Sequence, residues 1–151
     1  MPVQKNPTQP LLLDYDLWRL FSDTHRLIFN ASKKQLDKMR LSHETVAILS
    51  AIYVLGDNVM PIELARALSR KPQTITEIIK KLEEKKLVLK KQDDTKKNWF
   101  RISLTDKGYA AFSKASDIAL YHKVFKTLST DNRKVFVECL TEILENARKY
   151  Q

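Results

Sequence analysis

The chain has 151 residues, 43% of them hydrophobic and 30% charged, with a net charge of +9; that suits one compact domain with a core and excludes a disordered polymer. Only two glycines are present, Gly56 and Gly108, which rules out a glycine-rich phosphate loop or dinucleotide fingerprint; with no nucleophile elbow either, an enzyme is not expected. The lone Cys139 allows no internal disulfide and no metal finger, so a reducing, cytoplasmic setting is expected.

Residues 1–10 (MPVQKNPTQP) hold three of the five prolines and lack a signal-peptide core, so they read as a flexible arm. From Leu11 to about Lys38, Leu13, Leu17, Leu20, Phe21, Thr24 and Ile28 recur at three- and four-residue steps, the pattern of a long amphipathic helix. Ser42 is placed to cap a second helix whose stripe is Val46, Leu49, Ile52 and Tyr53, with Gly56 stopping it. Its apolar run, VAILSAIYVL at 46–55, is too short to span a bilayer.

Pro61 and Pro72 each stand where proline's missing N–H costs nothing, at the first turn of a helix. The first of these helices is short, with Leu64, Ala65 and Leu68 inward; the second is longer, with Ile75, Ile78, Ile79 and Leu82 inward. Only Ser69–Lys71 separate them, the layout of a helix-turn-helix. LVLKK and WFRISL then carry strand-forming residues around the polar turn QDDTKKN, predicting a β-hairpin wing with Phe100, Ile102 and Leu104 on one face. Phe100 is read as core and Trp99 as strand packing. Thr105 is placed to cap a fifth long helix running to about His122, and Ser129 a last one with Phe136, Leu140, Ile143 and Ala147 inward.

Charge is concentrated on this middle section. Between Arg66 and Arg101, twelve basic residues face five acidic ones, so 36 residues carry +7 of the total +9. Lysines on a solvated surface would explain an ordinary basic run, but here the charge coincides with the helix-turn-helix and the hairpin. Lys71, Lys90, Lys91, Lys96, Lys97 and Arg101 are therefore the candidates for neutralising phosphates. Gln73, Thr74, Thr76, Glu77, Lys80 and Lys81 lie opposite the apolar face of the second helix of the pair, where side chains reach base edges.

The order of elements and two stretches, LARALSRKPQTITEIIKKLEEKKLV at 64–88 and ISLTDKG at 102–108, resemble the MarR family of regulators (multiple antibiotic resistance type). The resemblance covers nearly the whole chain past the arm. It implies a mainly helical fold with a small hairpin wing, in which the first, fifth and last helices dimerise and the fourth reads the major groove. It divides the chain into 1–10 as arm and 11–151 as one domain, with 11–41 and 106–151 dimerising and 42–105 forming the DNA-binding lobe. Three positions depart from the family pattern. Lys86 stands where glycine is usual; Lys96, Lys97 and Asn98 replace an arginine-bearing wing tip; and Glu77 stands where a basic residue is common.

The resemblance also implies a cleft for small aromatic acids between the dimerisation helices and the lobe, with Trp18, Phe21, His25, Phe29 and His43 as its lining; ordinary core or dimer packing accounts for each equally well. His25, His43 and His122 lack the i, i+4 spacing of a helical metal pair, and no metal or cofactor is expected. Cys139 reads as a buried, inert thiol in the dimer core. The function expected is a sequence-specific, ligand-responsive repressor binding an inverted-repeat operator in double-stranded DNA as a homodimer, away from membranes. Two alternatives stand beside it: a winged-helix protein-interaction module and an architectural DNA-coating protein.

Overall fold

The computed structural model describes residues 13–150, so the arm expected at 1–10 lies outside the described residues. The chain runs α1 (Asp14–Lys38), α2 (His43–Leu55), α3 (Pro61–Ala67), α4 (Pro72–Glu84), β1 (Val88–Gln92), β2 (Phe100–Leu104), α5 (Asp106–Ser116), α6 (Ala119–Phe125) and α7 (Thr130–Arg148). Mainly helical with one antiparallel hairpin, it matches the expected fold class.

The predicted caps form. The hydroxyls of Ser42, Thr105 and Ser129 accept from the backbone N–H groups of Thr45, Gly108 and Asn132, tying down the first turns of α2, α5 and α7. At α3 the Glu63 carboxylate accepts from the Met60 N–H at 2.7 Å. Gly56 ends α2 at φ +91, a conformation open to glycine and costly for other residues. Lys86, where a glycine was expected, does adopt the left-handed turn (φ +59), and Ser69 does so between α3 and α4 (φ +50).

The core lies inside the lobe. Leu36, Ile48, Leu49, Ile52, Leu64, Ile75, Leu82 and Ile102 are at most 1% exposed and hold α1, α2, α3, α4 and β2 around one centre. All four inward residues of α4 are buried, as the periodicity predicted. Truncating Leu82 to Ala would remove ~2–5 kcal/mol. In the hairpin Val88 pairs with Leu104 and Gln92 with Phe100. A two-residue bridge that the sequence did not signal adds Val59 to its edge, with Val59 and Ile102 exchanging backbone hydrogen bonds at 3.0 and 2.8 Å. The bridge fastens the α2–α3 connection to the base of the wing.

Several expectations are corrected. Ile48 and Thr45, not Tyr53, complete the buried face of α2; Tyr53 is 56% exposed and packs its ring on Phe112 and Tyr109. The predicted fifth helix does not run to His122. It breaks after Ser116, where Ile118 leaves helical geometry (ψ 119) and buries its side chain, and α6 then turns to follow α1. Phe100 is not core: it is 37% exposed beneath the Lys90 ammonium, 3.8 Å from the ring centre. In α7 nothing is buried within one chain; Phe136, Ile143 and Ala147 are exposed and Leu140 is half-buried. Cys139 is likewise exposed rather than buried.

Candidate nucleic-acid interface

Burial of Ile75, Ile78, Ile79 and Leu82 fixes the rotation of α4 and so decides which side chains point outward. Gln73, Thr76, Glu77, Lys80 and Lys81 are exposed, Thr74 is half-buried, and Lys71 sits at the N-cap. The Thr76 hydroxyl donates to the Pro72 carbonyl at 3.0 Å, so its proton is engaged and its oxygen is left as an acceptor. No side chain caps α4, leaving first-turn N–H groups for an outside anion.

Asp93 organises the wing. Its Oδ1 accepts from the Thr95 N–H (2.9 Å), the Thr95 hydroxyl (2.5 Å) and the Lys96 N–H (3.1 Å); its Oδ2 accepts from Arg101 Nε at 2.6 Å. These donors, the Thr95 hydroxyl and the Arg101 guanidinium foremost, hold the carboxyl well below the usual carboxylate range despite the opposing effect of burial. Arg101 also donates to the Asn58 carbonyl at 3.2 Å, so it is engaged at the base of the wing rather than free toward solvent. The lysines stand differently. Lys91 and Lys97 are exposed, while Lys96 lies over Trp99 (4.2 Å) and Lys90 over Phe100.

Helix and wing meet across a cleft of about 590 Å³. Of the candidate DNA contacts, Thr76, Glu77, Lys80, Lys90 and Asn98 line it together with Trp99 and Phe100; the other candidate contacts stand outside its lining. Asp93 and Asn58 were missed as wing organisers. The Asp-x-Thr spacing of an Asx turn signals the first in sequence; nothing local signals the second.

A second cleft, about 330 Å³, lies among α1, α2, α6 and α7. Phe21, His25, Phe29 and His43 line it as expected, but Trp18 does not: it is 61% exposed with its ring 6.4 Å from Phe21. Thr24 and Ile28 join them from α1, and the wall also includes Ser32, Tyr121, Phe125, Phe136 and Leu140. Ser32 continues the His25–Phe29 face of α1 and was legible by spacing; Tyr121, Phe125, Phe136 and Leu140 come from distant helices. Phe29 stacks on His43 at 3.9 Å, and the Ser32 hydroxyl lies 2.8 Å from His43 Nε2. Burial lowers the His43 imidazole, against an upward pull from Asp37. Among the described residues no group of three or more potential metal ligands occurs, and no helix is long and apolar enough to cross a membrane.

The lobe that carries the first cleft matches a known family: residues 41–97 fit the model of the MarR family. That span runs from α2 to the tip of the wing, so this lobe is similar to the domain of that family. No curated protein matches it in sequence. Among solved structures, the organohalide-sensing transcriptional regulator RdhR in its 2,4-dichlorophenol-bound form is 25% identical, with a TM-score of 0.74 over 97% of this chain and 89% of that one. AbsC, a MarR family transcriptional regulator from Streptomyces coelicolor, is 21% identical, with a TM-score of 0.77 over 93% of this chain and 99% of that one. A cysteine-to-serine mutant of MarR from E. coli, complexed with operator DNA, is 20% identical, with a TM-score of 0.71 over 85% of this chain and 93% of that one.

Proposed function

We propose that this chain is a cytosolic transcriptional regulator that binds an inverted-repeat operator as a homodimer, represses from it, and is released by a small apolar ligand. One observation carries the DNA reading. The outward face of α4 and the lysine-bearing wing converge on one side of the lobe, where Thr76, Glu77 and Lys80 face Lys90 and Asn98 across a common cleft. The helix supplies side chains short enough to read base edges, and the wing supplies cations for the adjoining phosphates. The structural likeness to MarR, seen with operator DNA, supports this assignment.

The dimer reading rests on α1 and α7, whose apolar stripes are uncovered in one chain. The ligand reading rests on the 330 Å³ cleft, which is walled mostly by aromatic and aliphatic side chains and whose two imidazoles and Ser32 hydroxyl offer polar anchors. The likeness to RdhR, seen with 2,4-dichlorophenol, supports a substituted phenol or aromatic acid there. Such a ligand would bridge α1, α2, α6 and α7, and so would change how the two lobes are spaced on DNA. Repression follows if the operator overlaps a promoter.

The deciding experiment selects bound sequences from a random DNA pool. A two-fold-symmetric motif is expected, with half-site centres about one helical turn, roughly 10 base pairs, apart. Lys80→Ala should then weaken the selected site by ~1–3 kcal/mol and relax preference at one base pair per half-site. Recovery of no motif, with affinity equal on all sequences, would replace this reading with the architectural one.

A further inference from the structure

On the side of the lobe formed by the C-terminal ends of α1 and α4 and one face of α5 lies a third cleft, of about 730 Å³. It shares no lining residue with either cleft described above. Five cations surround it: Lys38, Arg40, Lys85, Lys107 and Lys114. No carboxylate lines it, and none of the five forms an ion pair within 4 Å among the described residues. Between the charges the floor is apolar, formed by the buried Leu41 and Leu87 with Ala110 and Ala111.

Helix-end electrostatics accounts for only part of this arrangement. Lys38, Lys85 and Lys114 lie at or near helix C-termini, where a cation is favourable, but Lys107 sits in the first turn of α5, where the helix dipole disfavours it. One of its ammonium protons goes to the Lys85 carbonyl at 2.8 Å, leaving two for an outside acceptor. Gathered like charges repel unless an anion joins them. The volume is that of a small-molecule site, and an apolar floor under a cationic rim suits one chemical class. The geometry points to a binding site for an amphiphilic organic anion, a flat or aliphatic body bearing a sulfonate, carboxylate or phosphate. Its floor includes Leu87, whose carbonyl accepts from the Thr105 N–H at 3.1 Å; the neighbouring Lys86 carbonyl accepts from the Thr105 hydroxyl at 2.7 Å. Occupancy therefore bears on the joint that connects α4 to the wing.

The test follows backbone amides of the full chain by NMR at low salt, with naphthalene-2-sulfonate as the probe. Saturable shifts are expected at Leu41, Leu87 and Ala111. Neutral 2-naphthol and inorganic phosphate should each bind at least roughly tenfold more weakly, since each lacks one half of the recognition. Lys107→Gln combined with Lys114→Gln should weaken the probe by a similar factor with an unchanged circular dichroism spectrum. Lys114→Gln alone, at an exposed position, guards against a folding defect of the pair. The site is overturned if neutral 2-naphthol binds as well as the sulfonate, if inorganic phosphate alone binds equally well, or if the lysine variants bind unchanged. It is also overturned if duplex DNA shifts the same amides and displaces the probe, which would make the patch part of the DNA footprint. Ligand binding is read directly, so these outcomes stand apart from whether α4 reads DNA.

Discussion

Asp93 determines the shape of the wing tip, because one carboxylate gathers the Thr95 N–H and hydroxyl, the Lys96 N–H and the Arg101 guanidinium. Its carboxyl is held well below the ordinary value, so it contributes stability at every pH above the unfolded carboxylate value near 3.8 and loses it only as pH falls below that. Asp93→Ala should leave the lobe folded but raise hydrogen exchange at Thr95 and Lys96; unchanged protection there would show that the turn forms without it. Arg101 was legible as basic but not as engaged, since its partner lies eight residues back across a hairpin. His43 behaves oppositely to a paired histidine. Burial favours its neutral form, so its contribution is complete above the unfolded value of 6.5 and is lost as pH falls toward the lower folded value. Melting temperature should drop between about pH 7 and pH 5, and less so in His43→Gln. Equal slopes in the two proteins would remove His43 as the cause.

At the scale of elements, α4 was the most legible part of the chain because its four isoleucine and leucine positions and its opening proline point to the same helix. The α5–α6 break was not legible. Both sides of it have helix-forming sequence, and the burial of Ile118 that ends α5 depends on contacts with distant elements. The Val59 bridge escaped for the same reason: a two-residue pairing has no period. The wing was legible as a hairpin, but which of its lysines are free was not, because two of them lie over Trp99 and Phe100. This makes the wing's electrostatic part measurable. If a DNA-bound dimer neutralises ~8 phosphates, the log–log dependence of affinity on salt should have a slope of roughly −7. Lys96→Ala with Lys97→Ala removes four charges per dimer and should shallow that slope by about 3–4 if all four meet phosphates. A slope left unchanged would place the wing off the DNA.

At the scale of the whole molecule, one chain leaves much apolar surface uncovered, which supports the proposed dimer. Leu13, the N-cap of α1, is 75% exposed, and on α1 itself Leu20 is 59% and Leu27 64% exposed; on α7, Val137 is 61% exposed and Ile143 59%. Large apolar patches of this kind mark interfaces, and a two-fold pairing of like surfaces is the commonest way to close them. The stripes of α1 and α7 were legible as apolar periods, but a period alone does not say what covers it. Leu20→Glu with Ile143→Glu should therefore give a folded monomer by light scattering at micromolar concentration, since neither residue belongs to the core of the lobe. Its affinity for a full inverted repeat should fall to that for a half-site, because the two recognition helices are no longer joined. Inserting five base pairs between half-sites should reproduce that loss in the unaltered protein, as it turns one half-site to the opposite face of the duplex. A variant that stays dimeric would move the interface away from α1 and α7. A variant that is monomeric yet binds the full repeat with unaltered affinity would show that dimerisation is not how the two half-sites are read.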